Sequence, residues 1–251
     1  MHGDHPIRID SSGAGFFTAD VFSVRDNIRE GALDQAQVIR FVRDATSSGL
    51  ASQLDLASLL DTTKVYFLGV SLGSIVGTVG SGLVRDVSRV ALVVPGGHMM
   101  RIFTETANVD FKKPLLDALA ALGIQKDSPA YFQFLMLGQW ALDRADPVNW
   151  AKSLVLEGDP TAQRFRIVEA LGDDFIPNGA TQALGMALGI PKDATPPAAY
   201  QSFAAQNKDG APAICHSFFL DGCDGTQFPD QSKVDTAQAD AKQFVIDFLK
   251  M

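Results

Sequence analysis

The sequence predicts an α/β fold in which a mainly parallel sheet is flanked by helices. Short apolar runs of strand length alternate along the chain with longer stretches of helical periodicity, an order typical of parallel sheets with right-handed crossovers. With 251 residues, of which 46% are hydrophobic and 20% charged, the chain has enough apolar material for a large core. We therefore expect residues 1–251 to form a single domain.

The formal net charge of −8 restricts the classes of partner. An acidic chain is poorly suited to nucleic acids and is not attracted to anionic membranes. No apolar run approaches the roughly 20 residues of a membrane helix. Residues 1–10 lack the basic and apolar regions of a signal peptide. We expect no transmembrane segment and no nucleic acid partner, and the charge leaves neutral or apolar small molecules open as substrates.

A loop and one long helix precede the first predicted strand. Residues 1–20 contain glycines and at best one short strand around residues 6–9, and we interpret them as a leader, although His2 and His5 could together hold a metal ion. Residues 24–45 have apolar side chains near helical spacing, which predicts an amphipathic helix covering the sheet. These apolar positions are Ile28, Leu33, Val38, Ile39 and Val42.

The next segment carries the motif that indicates chemistry. Residues 65–68 read as a buried strand, after which Gly69, Ser71 and Gly73 form a G-x-S-x-G pattern that opens a helix of small residues. A serine on a sharp strand-to-helix turn needs small neighbours two residues away on both sides. The motif predicts that Ser71 projects from the strand end. It also predicts that the amide of Leu72, at the helix N-terminus, can stabilise an oxyanion.

The helix after this turn has Gly73, Gly77 and Gly80 on one smooth face, which predicts close packing against a neighbour. A second strand is predicted at residues 87–94. Residues 98–163 then interrupt the alternation with helical stretches at 113–122 and 129–142. We interpret 98–163 as a helical cap insertion, an apolar lid over a lipid-like substrate, with plain helical packing as the alternative.

The remaining elements complete the sheet. The pattern predicts a third strand at residues 164–170 and a helix at 180–188. A fourth strand is suggested at 200–205, and a terminal amphipathic helix at 233–249. Cys215 and Cys223 form either a small disulfide loop or two free thiols, and two cysteines are too few for a cysteine metal cage.

A serine nucleophile needs a histidine as its base. His2 and His5 lie in the leader, and His98 could line the site but stands too early in the chain. His216 follows the last predicted strand, where the base of such an arrangement is expected, and a purely structural histidine is the alternative.

The acid that orients the base is expected on the turn after the third strand. Asp173 and Asp174 both stand on that turn, and only one of them can face the imidazole. The alternative for either residue is to cap the following helix.

Three motifs together carry a resemblance to a known family. The elbow around Ser71, the G-D-x-x-I-P-N turn at residues 172–178 and the H-S-F-F-L segment at 216–220 resemble an α/β-hydrolase. Among these enzymes, the chain is most similar to bacterial extracellular lipases of the virulence-factor type. The resemblance implies Asp173 as the acid, because the acid stands four residues before Pro177. It also implies His216 as the base.

The same resemblance covers most of residues 10–250 more weakly. Arg25-Asp26-Asn27 resembles the R-D-N that opens the helix before the elbow strand, whereas Val70 replaces the histidine or glutamine often found before the serine. The family's N-terminal strands have no counterpart here, and His2-Gly3 matches the loop after its fourth strand. We expect an unpaired edge on the elbow strand, which a missing N-terminal half or another chain would cover. The resemblance also implies an extracellular or cell-envelope location.

These observations predict a serine ester hydrolase, a lipase or esterase with an acyl-enzyme on Ser71 and no cofactor or metal. The expected substrate is a small-molecule ester or a lipid. A thioesterase, a polyester depolymerase or a peptidase would use the same fold. A catalytically deficient binding module is the alternative from another functional class.

Overall fold

Four parallel strands form the central sheet of the protein, in the spatial order β1-β2-β3-β4. The computed structural model describes residues 16–47, 49, 53, 61, 64–192 and 199–251. The strands are β1 (Tyr66–Val70), β2 (Arg89–Val93), β3 (Phe165–Ala170) and β4 (Tyr200–Phe203). The predicted mainly parallel α/β architecture is therefore confirmed at this level. The short strand predicted at residues 6–9 lies outside the described residues, as do His2 and His5.

Helices connect and cover these strands. They are α1 (Val21–Ser47), α2 (Leu72–Leu83), α3 (Met99–Glu105), α4 (Val109–Ala121), α5 (Pro129–Leu142), α6 (Pro147–Leu156), α7 (Thr161–Arg164), α8 (Asn178–Ala187) and α9 (Gln231–Lys250). A two-stranded antiparallel ribbon, β5 (Ala205–Gln206) and β6 (Pro212–Ala213), follows β4 and was not predicted. None of the described helices is both long and apolar enough to cross a membrane.

The two central strands, β2 and β3, are buried on both faces, because their alternate residues enter two different apolar clusters. Leu92 and Ile167 pack with α6 and α8 on one face. Ala91 and Val168 pack against the apolar stripe of α9 on the other face. Full burial of a valine, leucine or isoleucine side chain contributes roughly 1.5–3 kcal/mol. Packing on both faces thus stabilises the central strands, whose carboxyl ends lie at one edge of the sheet.

Strand β1 departs from the prediction of a buried strand. It is the outermost strand of the sheet formed by the described residues, and the Leu68 side chain is 45% exposed. Tyr66 and Phe67 are half-buried, and only Gly69 of this strand is buried. The correction follows from position, because an edge strand has fewer neighbours on each face than a central strand of the same composition.

Helix α1 forms as predicted, but two of its expected core positions are wrong. Its buried stripe runs through alanines as well as larger residues, whereas Leu33 and Val38 are exposed. The helix packs chiefly against α2 and α5 rather than on the sheet. The buried positions are Val24, Ile28, Ala32, Ala36 and Ile39.

Residues 98–163 are helical, but they do not form one separate unit. Helix α6 packs against α2 and α8 beside the sheet, so it is the crossover helix from β2 to β3. Helices α3, α4 and α5 instead share an apolar cluster with α1 and α2. The interpretation of residues 98–163 as a cap stays a prediction, and within that range α6 packs beside the sheet.

Candidate active site

The sheet brings three predicted site residues to one edge. Ser71 directly follows β1, Asp173 lies on the turn after β3, and His216 follows β4 and the ribbon. Because all four strands are parallel, their carboxyl ends face the same side. The Ser71 Oγ atom lies 2.7 Å from His216 Nε2, although 145 residues separate them in sequence.

Ser71 occupies a sharp turn between β1 and α2. Its backbone has φ 53° and ψ −120°, a conformation that costs a non-glycine residue roughly 1–3 kcal/mol. Its amide donates to the Val93 carbonyl on the neighbouring strand at 2.9 Å, which ties the turn to β2. The Ser71 hydroxyl does not cap α2, so it remains directed to His216.

The glycines of the elbow have different roles. A Cβ atom on Gly69 would lie 2.5 Å from the carbonyl oxygen of Gly73, whereas a Cβ atom on Gly73 would meet nothing within 4 Å. The expectation that both glycines avoid side-chain collisions is therefore wrong for Gly73. A Cβ atom on Gly77 would overlap the Phe67 ring, and one on Gly80 would meet Gln35 on α1. Two of the three predicted helix glycines thus permit close packing.

Asp173 hydrogen-bonds to Nδ1, the ring nitrogen of His216 that does not face Ser71. The Asp173 carboxylate lies 2.8 and 3.0 Å from His216 Nδ1. A proton on Nδ1 leaves Nε2 free to accept the Ser71 hydroxyl proton. The Phe175 ring stacks on the imidazole with centroids 5.2 Å apart and planes inclined by 28°.

Asp173 is buried and fixed by the backbone of its own turn. Its side chain is only 2% exposed, and its Oδ1 atom accepts from the amides of Phe175 at 2.7 Å and Ile176 at 2.9 Å. Asp174 points elsewhere, and its carboxylate accepts from the His216 amide at 3.3 Å. Of the two candidates, the structure places Asp173 against the imidazole. Neither aspartate caps α8 with its side chain.

Asn178 closes the turn that carries Asp173. Its Oδ1 atom accepts from the Gly172 amide at 2.9 Å, and its Nδ2 group donates to the Ala170 carbonyl at 2.6 Å. Gly172 has φ 65°, and a Cβ atom there would lie 2.8 Å from Ala213 Cβ. The G-D-x-x-I-P-N pattern is thus explained by a turn that needs glycine at its start and an amide side chain at its end.

The segment that carries His216 is tied down on both sides. Cys215 and Cys223 form a disulfide, which settles the alternative left open by the sequence. The Ile214 amide donates to the Leu171 carbonyl at 2.8 Å, and Ser217 Oγ donates to the Gly222 carbonyl at 3.0 Å. These bonds limit the movement of His216 relative to the turn that carries Asp173.

Asp146 is a buried residue that sequence reasoning missed. Its carboxylate accepts from the amides of His98 at 3.0 Å, Met99 at 2.7 Å and Val148 at 2.9 Å, and from Gln139 Nε2 at 2.8 Å. It therefore caps α3 and α6 together and anchors the loop after β2, the strand that adjoins Ser71. The Asp-Pro pair at 146–147 is a helix-start signal that predicts the cap on α6, but it gives no indication of the cap on α3.

The other predicted site residues are placed less centrally. Leu72 is the first residue of α2, whose first amides have no intrahelical partner, so its amide can serve as an oxyanion donor. The His98 ring is exposed and makes no hydrogen bond with Ser71, Asp173 or His216.

Among the described residues, no group of three or more histidine, cysteine or acidic side chains is arranged to hold a metal ion.

No protein-family model matches the chain, and no curated protein matches its sequence. A functional assignment therefore depends on the geometry of Ser71, His216 and Asp173.

Proposed function

We propose that the protein is a serine ester hydrolase with an α/β-hydrolase fold, a lipase or esterase that cleaves lipid or other carboxylic esters. The observation that carries the proposal is the unbroken hydrogen-bond chain at the strand ends. It runs from Ser71 Oγ to His216 Nε2 at 2.7 Å and from His216 Nδ1 to Asp173 Oδ2 at 2.8 Å. A nucleophile, a base and an orienting acid have this arrangement in serine hydrolases.

The chemistry follows from these contacts. Ser71 Oγ attacks the ester carbonyl carbon while His216 Nε2 accepts the hydroxyl proton, and the Asp173 carboxylate stabilises the resulting imidazolium. The Leu72 amide stabilises the oxyanion of the tetrahedral intermediate. His216 then gives its proton to the departing alkoxide, which leaves as an alcohol. A water molecule, deprotonated by the same imidazole, attacks the acyl-enzyme and releases the carboxylic acid and free Ser71.

Two further features support an exported enzyme of this kind. The three motifs at residues 69–73, 172–178 and 216–220 resemble those of bacterial extracellular lipases of the virulence-factor type. The disulfide between Cys215 and Cys223 suits an oxidising compartment. In the proposed fold additional strands lie beyond β1, so this edge is where a further segment or chain would pair.

One observation favours a second candidate, a hydrolase-like module that binds an apolar ligand without efficient catalysis. Among the described residues we propose only one oxyanion donor, the amide of Leu72 at the start of α2. Loss of one such donor lowers kcat on the order of 100-fold or more.

Reaction with a fluorophosphonate probe tests the proposal and separates these candidates. We expect covalent labelling of Ser71, found by peptide mass spectrometry, together with hydrolysis of p-nitrophenyl esters. Both signals should vanish in Ser71→Ala and persist in Ser153→Ala, which removes an exposed hydroxyl on α6. A folded wild-type protein whose Ser71 stays unlabelled would overturn the enzyme proposal and leave the binding module.

A further inference from the structure

A row of phenylalanine rings leads away from the imidazole of His216. Phe175 stacks on that imidazole at a centroid distance of 5.2 Å, and Phe111 lies 4.8 Å from Phe175. Phe103 and Phe17 continue the row at 5.4 and 5.6 Å from Phe111. We call these four side chains the aromatic strip. It connects the proposed base directly with helices α3 and α4.

The aromatic strip is neither fully buried nor loosely attached. Phe103 belongs to the core, whereas Phe17, Phe111 and Phe175 are half-buried residues that remain partly accessible. Apolar rings that stay partly accessible beside a reactive group form a surface on which another apolar group can be buried.

Backbone contacts fix the strip relative to the proposed acid. The Asp174 carbonyl accepts from the Asn108 amide at 2.8 Å and from Thr106 Oγ1 at 3.1 Å. Asn108 in turn caps α4 by accepting from the Phe111 amide at 2.9 Å. The first turn of α4, which presents Phe111, is therefore tied to the residue next to Asp173. Such preorganisation suits a binding surface.

The position of the strip restricts what it can bind. In the proposed reaction, the departing alkoxide must receive its proton from His216 Nε2, so the ester lies against the imidazole. One of its two substituents can then extend along Phe175 and Phe111. Rings without charged or hydrogen-bonding atoms favour an alkyl or aryl chain over a polar head group.

We propose that the aromatic strip binds the hydrophobic chain of the ester substrate, which makes esters with long apolar chains the preferred class. This inference rests on the proposed ester hydrolase. Burial of one methylene group on such a surface raises the rate constant roughly fourfold. Chain-length selectivity is therefore the property that the strip should control.

The test uses alkyl fluorophosphonates with a short and a long alkyl chain, which react with Ser71 directly. For the wild type we expect the long-chain probe to react at least roughly tenfold faster, since two buried methylenes suffice for this ratio. In Phe111→Ala the ratio of the long-chain to the short-chain labelling rate should fall close to one. Phe132→Ala, which truncates an exposed phenylalanine on α5 outside the strip, should keep the wild-type ratio.

Two ester series identify which substituent occupies the strip. In one series the acyl chain is lengthened with the alcohol constant, and in the other the alcohol is lengthened with the acyl group constant. If Phe111→Ala loses chain-length selectivity in either series, the inference is supported. The series in which selectivity is lost identifies whether the acyl chain or the alcohol occupies the strip. Unchanged selectivity in both series overturns it.

A folding defect and a failure of the proposed function remain distinguishable from a failure of this inference. Phe111→Leu keeps an apolar side chain and should lower the ratio partially, and thermal unfolding verifies that each variant is folded. If no probe labels Ser71 in folded wild-type protein, the ester hydrolase proposal fails. If all probes label Ser71 at rates independent of chain length, only the role of the strip is refuted.

Discussion

Gly69 and Gly73 approach each other so closely that the first of them cannot carry a side chain. A Cβ atom at position 69 would lie 2.5 Å from the Gly73 carbonyl oxygen and 2.8 Å from a Phe67 ring carbon. At Gly73 the corresponding Cβ atom would meet nothing within 4 Å. The two glycines of one motif therefore differ in the space around them.

This asymmetry predicts different effects of alanine at the two positions. Gly69→Ala should lower the free energy of unfolding by about 1–3 kcal/mol, because backbone must move to admit the methyl group. Gly73→Ala should be neutral or slightly stabilising, because alanine is the better helix former. Urea unfolding of both variants measures the difference. Equal destabilisation by the two substitutions would contradict the prediction.

The two adjacent aspartates should respond differently to loss of charge. Asp173→Asn should lower kcat for ester hydrolysis on the order of 10⁴-fold, because the amide no longer orients and stabilises the imidazole. Asp174→Asn should remain close to wild type, because the amide oxygen can still accept from the His216 backbone. Steady-state kinetics on one p-nitrophenyl ester compares them. Equal small losses from both variants would remove Asp173 from its proposed role.

The disulfide beside His216 should affect stability and reactivity together. Replacing Cys215 and Cys223 by serine removes a cross-link with a sequence separation of 8, which is worth about 2–3 kcal/mol of unfolding free energy on the chain-entropy model. Because the cross-link holds the segment that carries the base, labelling of Ser71 by fluorophosphonate should also slow. Thermal unfolding and labelling rates check both effects. A destabilised variant that labels at the wild-type rate would show that the disulfide does not position His216.

A buried phenol should make the protein sensitive to alkali. Burial in the core, together with the neighbouring Glu169 charge, raises the pKa of Tyr200 above the ordinary tyrosine value. The native state therefore holds this proton more tightly than the unfolded chain. The stabilisation is complete below about pH 10, where an unfolded tyrosine titrates, and is lost as the pH rises further.

Tyr200→Phe should remove this contribution. The free energy of unfolding, measured below and above about pH 10, should fall less in the variant than in the wild type. An identical fall in both proteins would show that Tyr200 does not contribute to the alkaline loss.

Short-range patterns were sufficient to predict much of the fold. Apolar runs located β1 to β3 within a few residues, and for β2 and β3 the reason is that strands buried on both faces are continuously hydrophobic. The G-x-S-x-G motif identified Ser71 as the candidate nucleophile. The position of His216 after the last predicted strand identified it as the candidate base. The residue pattern alone left Asp173 and Asp174 open, and the family resemblance favoured Asp173, the aspartate that contacts the imidazole in the structure.

Features that depend on distant neighbours were not predictable from these patterns. Leu33 and Val38 were assigned to the buried face because they are apolar and near helical spacing, but α1 buries the small residues Ala32 and Ala36 instead. The role of Asp146 depends on amides 47 and 48 residues earlier in the chain. The division of residues 98–163 between a crossover helix and helices outside the sheet likewise depends on tertiary contacts, which local periodicity does not contain.

The long sequence separation between Ser71 and His216 has a consequence for biosynthesis. A ribosome that adds roughly 5–20 residues per second needs on the order of ten seconds to reach the histidine after it has made the serine. Throughout that interval the growing chain contains the Ser71 hydroxyl without its proposed proton acceptor. A nascent or prematurely terminated product that ends before His216 therefore lacks the proposed base, so the proposed esterase activity requires synthesis to continue past that residue.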